Sequence, residues 1–272
     1  MRLIESERFV ERKPAPADAK PNLPAVWSSA QWLDYFRANA ERLLSIPWYA
    51  GVELTPAERA VIAASLPSWQ LGESSDGAKL LAAARRHAVA TDDPNFVDVI
   101  QQFIKEEQRH GANLGRFLDL ASVPRKTWDW GDAVFRVLRH LLTRMEVSAS
   151  VLITVEVHAL LYYAAIRRAT GSAILRRICE QILLDEVPHV RFQCERLAIL
   201  HRRRPRVLRA ATMAVHRVLF AGVTLAIWLG HRRALRAGGY SFRRFWGAAW
   251  GKMRQAWRMM DPRGYRWPEE AR

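Results

Sequence analysis

Cysteine is almost absent from this chain of 272 residues: only Cys179 and Cys194 occur. Both fall on one expected helix, roughly 22 Å apart at ~1.5 Å of rise per residue, so they cannot pair with each other. That excludes a disulfide framework and a zinc-cysteine cluster, and a reducing, cytoplasmic setting is expected. The N-terminal stretch MRLIESERFVERKPAPADAK has no apolar run of the kind a signal peptide carries. Strand-like alternation and Asn-Gly hairpin signals are missing too, which leaves an all-α chain. Long uncharged runs are scarce. The run Val218 to Gly230 is 13 residues, short of the ~20 that span a bilayer, so membrane contact is expected to be peripheral, at the inner face. Acidic residues are scarce in the tail. Residues 201 to 272 hold 17 Lys and Arg against 3 Asp and Glu, a net of +14 of the chain's +15. A near-neutral body with a basic tail suits an acidic partner: an anionic membrane surface or an acidic carrier protein, with nucleic acid ranking behind them.

What is present is helical periodicity. Residues 1–54 read as an arm with four prolines between 11 and 27, followed by a short amphipathic helix over 29–45. Residues 55–201 read as a four-helix bundle. Thr55-Pro-Ala-Glu58 is a capping box with Pro at the first helical position. Pro67 should break that helix, and a second segment is expected from about 68 to 90. Asp93-Pro94 should cap the next helix, whose inward stripe is Phe96, Ile100, Phe103, Glu107, His110, Leu114 and Phe117. Residues 121 to 132 read as a connection, 132 to 168 as a long helix and 173 to 201 as the last bundle helix. Residues 202–272 read as a basic helical extension. One helix is expected over 206–236. A second, over 242–260, puts Phe242, Phe245, Trp246, Ala249, Trp250, Met253 and Trp257 on one side in the pattern of an interfacial amphipathic helix.

Charged residues stand in the middle of the apolar faces. Glu107-Gln-Arg-His110 and Glu186-Val-Pro-His189 are two Glu-x-x-His motifs, a spacing that puts both side chains on one helix face. A lone glutamate precedes each: Glu73 by 34 residues and Glu156 by 30. In two antiparallel hairpins with turns near 91 and 170, all four glutamates reach a similar height. Glu73, Glu107, His110, Glu156, Glu186 and His189 thus form the ligand set of a two-metal carboxylate bundle. Buried glutamates without a metal would have a large desolvation penalty or be protonated. Ligating histidines need outer partners, and Asp185 is expected to orient His110 across the bundle, with Glu106 doing so for His189. Pro188 should kink or bulge its helix. Tyr163 reads as a core tyrosine or a redox tyrosine, His87, His140 and His158 as surface or packing residues, and Glu146 as a salt-bridge partner.

Glu106-Glu-Gln-Arg-His-Gly111 resembles the Glu-Glu-x-Arg-His-Gly segment of soluble acyl-carrier-protein desaturases. Asp185-Glu-x-x-His189 is similar to the Asp-Glu-x-x-His of desaturases, bacterial multicomponent monooxygenases and ribonucleotide reductase small subunits. The arrangement over about 68 to 200 resembles the ferritin-like di-iron carboxylate superfamily. The flanks of Glu73 and Glu156, and Val187-Pro188, depart from the desaturase pattern. The resemblance implies a ferritin-like four-helix bundle with the six residues as ligands. It further implies two iron ions (or Mn/Fe, or two Mn), O₂ as co-substrate, an organic substrate of acyl or lipid-like kind to be hydroxylated, desaturated or otherwise oxidised, and an external electron donor. A homodimer is compatible with it. Two further readings are a ferritin- or rubrerythrin-like iron-handling or peroxide-scavenging protein and a tRNA-modifying di-iron hydroxylase.

Overall fold

The computed structural model describes residues 23–129 and 145–267. It is all-α. The helices are α1 (Ser29–Ala40), α2 (Pro56–Ala63), α3 (Leu66–Glu73), α4 (Ala78–Thr91), α5 (Phe96–Leu120), α6 (Met145–Ala169), α7 (Ala173–Arg202), α8 (Arg206–Ala237) and α9 (Phe242–Met259). There is no strand among the described residues, only an isolated bridge between Ala25 and Arg266. His140 and the expected start of the helix over 132–168 lie outside the described residues.

Local chemistry explains most boundaries. Thr55 caps α2, with Glu58 returning the bond and Pro56 opening the helix. Ser28 and Gln31 form the same box on α1. The helix expected over 29–45 ends at Ala40, and beyond it the Leu44 N–H donates to Gln181 Oε1 at 2.7 Å instead of continuing a helix. The single segment expected from 68 to 90 is two helices. The chain breaks at Ser74-Ser75-Asp76-Gly77, where Gly77 takes a φ of +66° and Asp76 Oδ1 accepts from the Ala78 N–H at 3.1 Å. Glu73 is therefore the last residue of α3 rather than the middle of a long helix. Asp93 does not cap α5: the helix begins after Asn95 without a side-chain cap, and the Asp93 carboxylate accepts from Ser29 Oγ. Helix α7 runs through Pro188 with its backbone still helical there.

Two apolar clusters meet around the acidic residues. One gathers Trp32, Leu33 and Phe36 of α1 with α4, Phe96 to Ile104 of α5, and Phe192. The other gathers Leu114 to Leu118 of α5 with α6, α7 and the tail helices. On α5 the stretch 106–111 lies between the parts feeding these clusters. Burying each large side chain in them contributes about 1.5–3 kcal/mol. The tail shares this core. Phe245, Ala249 and Met253 of α9 are fully buried and Trp257 nearly so, as are Phe220 and Trp228 of α8. The aromatic face of α9 is thus spent largely on the bundle. Helices α6 and α8 are each long and apolar enough to cross a membrane, but 78% of the most apolar stretch of α6 is buried against 17% for α8.

Candidate metal centre

The two Glu-x-x-His motifs face each other from α5 and α7. His110 Nε2 is 2.9 Å from Asp185 Oδ2, and His189 Nε2 is 2.8 Å from Glu106 Oε2. Each imidazole is held by the carboxylate that precedes the glutamate of the opposite motif, as the sequence predicts. A neutral ring that donates from Nε2 would leave its Nδ1 lone pair facing the interior. His189 is further wedged between Phe103 and Phe36, with ring centroids at 4.7 and 5.9 Å.

Two donor groups result. Glu73, Glu107, His110 and Glu186 each offer one ligand atom, and these lie within 4.8 Å of one another. Glu107, Glu156, Glu186 and His189 do the same. Glu107 and Glu186 belong to both groups. The structure brings together all six residues singled out in the sequence. Glu73 arrives from the end of α3 because Gly111, next to His110, leaves room. A Cβ there would stand 2.8 Å from Ser74 Oγ and 3.1 Å from the Glu73 carbonyl.

Several atoms of the cluster lack hydrogen-bond partners. Both Glu186 oxygens, Glu107 Oε1, His110 Nδ1 and His189 Nδ1 are buried without one. His189 Nδ1 and Glu107 Oε1 are 2.9 Å apart but are not aligned as a hydrogen bond. Buried polar atoms are ordinarily satisfied, and the orphans here are the atoms that would face a cation. Four carboxylates match the charge of two divalent ions, and the carboxylate-imidazole set suits iron or manganese. The residues fit a pair of such ions.

Electrostatics without metal is tense. Burial, reinforced by Glu107, holds the Glu73 carboxyl well above the usual range. Burial and the neighbouring Glu186 do the same to Glu156. Glu186 is pushed up to about 7 by burial and then by Glu107. Burial would raise Glu107 as well, but contact with His189 and the charge of the two imidazoles bring it down to about 2. Burial would lower His189, yet its bond to Glu106 and its close contacts with Glu107 and Glu186 keep it well above normal. In the metal-free cluster protons and imidazolium thus stand in for cations.

Of the residues that support the cluster, Asn39 and Gln181 gave no recognisable signal in sequence. Asn39, in the last turn of α1, donates through Nδ2 to both Glu106 Oε1 at 2.7 Å and Asp185 Oδ1 at 2.8 Å. Gln181 Nε2 donates to Asp185 at 2.9 Å, and Arg109 Nη2 does so at 3.0 Å. Burial alone would raise the Asp185 carboxyl, but His110, the Asn39 bond and the charge of His189 hold it far below the usual carboxylate range. On the opposite side Tyr163 donates to Glu73 Oε1 at 2.6 Å, and Gln193 Nε2 to Glu156 Oε1 at 3.1 Å. Tyr163 is fully buried. His158 is a packing residue, buried with Nε2 at 3.0 Å from Thr224 Oγ1, and His87 packs on Phe96. Glu146 pairs with Arg204 and, at 3.6 Å, with His201.

A cavity of about 350 Å³ adjoins the cluster. All four glutamates line it and neither histidine does. Its walls are chiefly apolar, with Phe103, Leu152 and Val155 on one side and Leu219, Val223 and Ile227 of α8 on another. Comparison of the chain with protein-family models, with curated proteins and with solved structures finds no match.

Proposed function

We propose that the chain is a ferritin-like di-iron oxidoreductase acting on an apolar organic substrate. The observation that carries this reading is the pair of overlapping donor groups sharing Glu107 and Glu186. On it, Glu73 and His110 would hold one ion and Glu156 and His189 the other, with Glu107 and Glu186 common to both donor groups. Bound iron would supply the electrons that reduce O₂ and so provide an oxidant for a C–H or N–H bond. The rest is the work of this chain's residues. Asp185 and Glu106 keep the ring protons on Nε2 of His110 and His189, which fixes the tautomer. The apolar cavity holds substrate against the carboxylate face and keeps water out. Cys179 and Cys194 are buried and their thiols are pushed up by burial, so they are poor redox partners and electrons come from an external donor.

The test is anaerobic Fe(II) titration of the full chain with metal counting, followed by O₂ and a search for a new near-ultraviolet or visible band. Two irons per chain and an O₂-dependent band are expected. Glu107→Ala and Glu186→Ala proteins that still bound two irons as tightly would overturn the ligand assignment. Assembly into a 24-subunit cage would replace the oxidase reading with iron storage.

A further inference from the structure

Helix α8 has three faces. His216, Phe220, Thr224 and Trp228 are buried against the bundle. Leu219, Val223, Ala226, Ile227 and Gly230 line the cavity beside the metal cluster. The third face reads Leu208, Ala211, Val215, Val218, Gly222, Leu225 and Leu229, an unbroken alternation of three- and four-residue steps that stays on one side of a helix. Every one of these residues is exposed. Val215 and Val218 keep 70% and 75% of their surface, and Leu225 and Leu229 keep 45% and 57%. Such a stripe on a soluble surface marks an interaction site.

Charge decides what covers it. Exposed arginines stand at both ends, Arg203 and Arg206 before the stripe, Arg232, Arg233 and Arg236 after it. No acidic residue occurs from 202 to 260. A second copy laid on this face would bring arginine against arginine whether the helices ran parallel or antiparallel, with no carboxylate on α8 or α9 to answer. An anionic lipid surface answers all of them, and the apolar stripe suits the headgroup-acyl boundary. Helix α8 is long and apolar enough to cross a bilayer, but one of its faces, His216, Phe220, Thr224 and Trp228, is fastened to the bundle, which leaves only the exposed stripe to meet lipid. The helix therefore lies along a membrane rather than across it.

We propose that α8 docks the protein on an anionic bilayer through the Leu208-to-Leu229 stripe and its flanking arginines, and that a lipid-soluble substrate passes from that surface around the flank of α8 into the cavity. The second half rests on the oxidoreductase reading above; the first does not.

The test is cosedimentation of the full chain with vesicles of phosphatidylglycerol and phosphatidylcholine and with phosphatidylcholine alone, beside light scattering without lipid. Binding to the mixed vesicles is expected, at least about tenfold stronger than to the neutral ones and weakened by salt. Val218→Glu with Leu225→Glu should cut it more than about tenfold. Arg232→Glu with Arg233→Glu, which leaves the stripe intact, should also cut it about tenfold. No binding to the mixed vesicles, or equal binding by both double variants, overturns the proposal. So does a lipid-free dimer that the Val218 and Leu225 changes dissociate, since a second copy would then be the occupant. Iron counted on the same samples keeps the two readings apart: a chain that binds vesicles but no iron sinks the oxidoreductase and leaves the docking surface standing.

Discussion

The two sides of the acidic cluster are built differently. On the histidine side, toward α1, each carboxylate is saturated. Asp185 accepts from His110, Asn39, Gln181 and Arg109, and Glu106 accepts from His189 and Asn39. On the cavity side support is thin. Glu73 has Tyr163 and Glu156 has Gln193, while neither oxygen of Glu186 has a partner. The histidine side is pre-organised by protein alone, so its rings are aimed whether or not a cation is bound. The cavity side is held by little besides the ions it would bind. Its carboxylates are free to shift, where substrate and O₂ would arrive, and in the metal-free protein that side stores the unfavourable charge.

The largest effects should come from the shared glutamates. Glu186→Ala removes a donor from both groups at once, and iron content should fall from two per chain toward none. Asymmetry gives a second readout. Glu186 is a buried, unpartnered carboxyl without metal, so metal-free Glu186→Gln should melt higher than the parent at pH 8 while binding iron far less well. Calorimetry with and without Fe(II) checks both halves. A variant that lost stability in both states would mean that Glu186 is an ordinary structural residue.

The same contrast sets a pH dependence. Glu73, Glu156 and Glu186 titrate higher in the fold than in the unfolded chain, with Glu186 at about 7, and His189 is raised too. Each stabilises the metal-free fold while protonated, and that contribution is lost as pH rises through its folded value. Glu107, held down to about 2, and Asp185 act oppositely, and their contribution is lost only as pH falls below the ordinary carboxylate range toward their folded values. Metal-free protein should therefore weaken by a few kcal/mol between about pH 5 and 8. Iron should flatten the slope, because cations replace the protons. Denaturant midpoints across that range measure it; a rising midpoint in the metal-free protein would contradict the burial of unsatisfied carboxyls.

The ligand residues were more legible in sequence than the groups that support them, and the reason is geometric. Glu107 and His110, or Glu186 and His189, share a helix face by spacing alone, and their place on apolar stripes marks them as buried. Even the cross-pairing of Asp185 with His110 follows from two antiparallel motifs. Asn39 is different. It sits 67 residues from Glu106 and 146 from Asp185, and nothing local distinguishes it from a surface asparagine at the end of a short helix. What places it is the packing of Trp32 and Phe36, a tertiary fact. The tail misled for a related reason. An aromatic stripe on α9 and an apolar run on α8 look alike as sequence, and only packing shows that the first is largely buried and the second exposed. The break after Glu73 went unread because Gly77 could stand in a helix; its positive φ is set by the turn.

Asn39→Ala should have the next largest effect. It strips one donor from each outer carboxylate, so both histidines lose aim together. Iron affinity should drop by about 10–100-fold, with a stability cost of about 1–3 kcal/mol in the metal-free state. Competition against a chelator reads the first and chemical unfolding the second. Loss of only one iron would show that Asn39 serves a single histidine, against the two bonds seen here.

Tyr163→Phe should be the smallest. Its hydroxyl bonds a carboxyl that is protonated without metal, and a neutral acid loses less than a carboxylate when a donor is removed. The metal-free protein should change by about 1 kcal/mol or less. With iron bound Glu73 would be ionised, and on the proposed assignment the missing donor should weaken the ion that Glu73 and His110 would hold and leave the one that Glu156 and His189 would hold unchanged. Stepwise titration should show one of two binding steps shifted and the other unmoved. Equal shifts in both would mean that the cavity side is as tightly knit as the histidine side, and the contrast between them would fail.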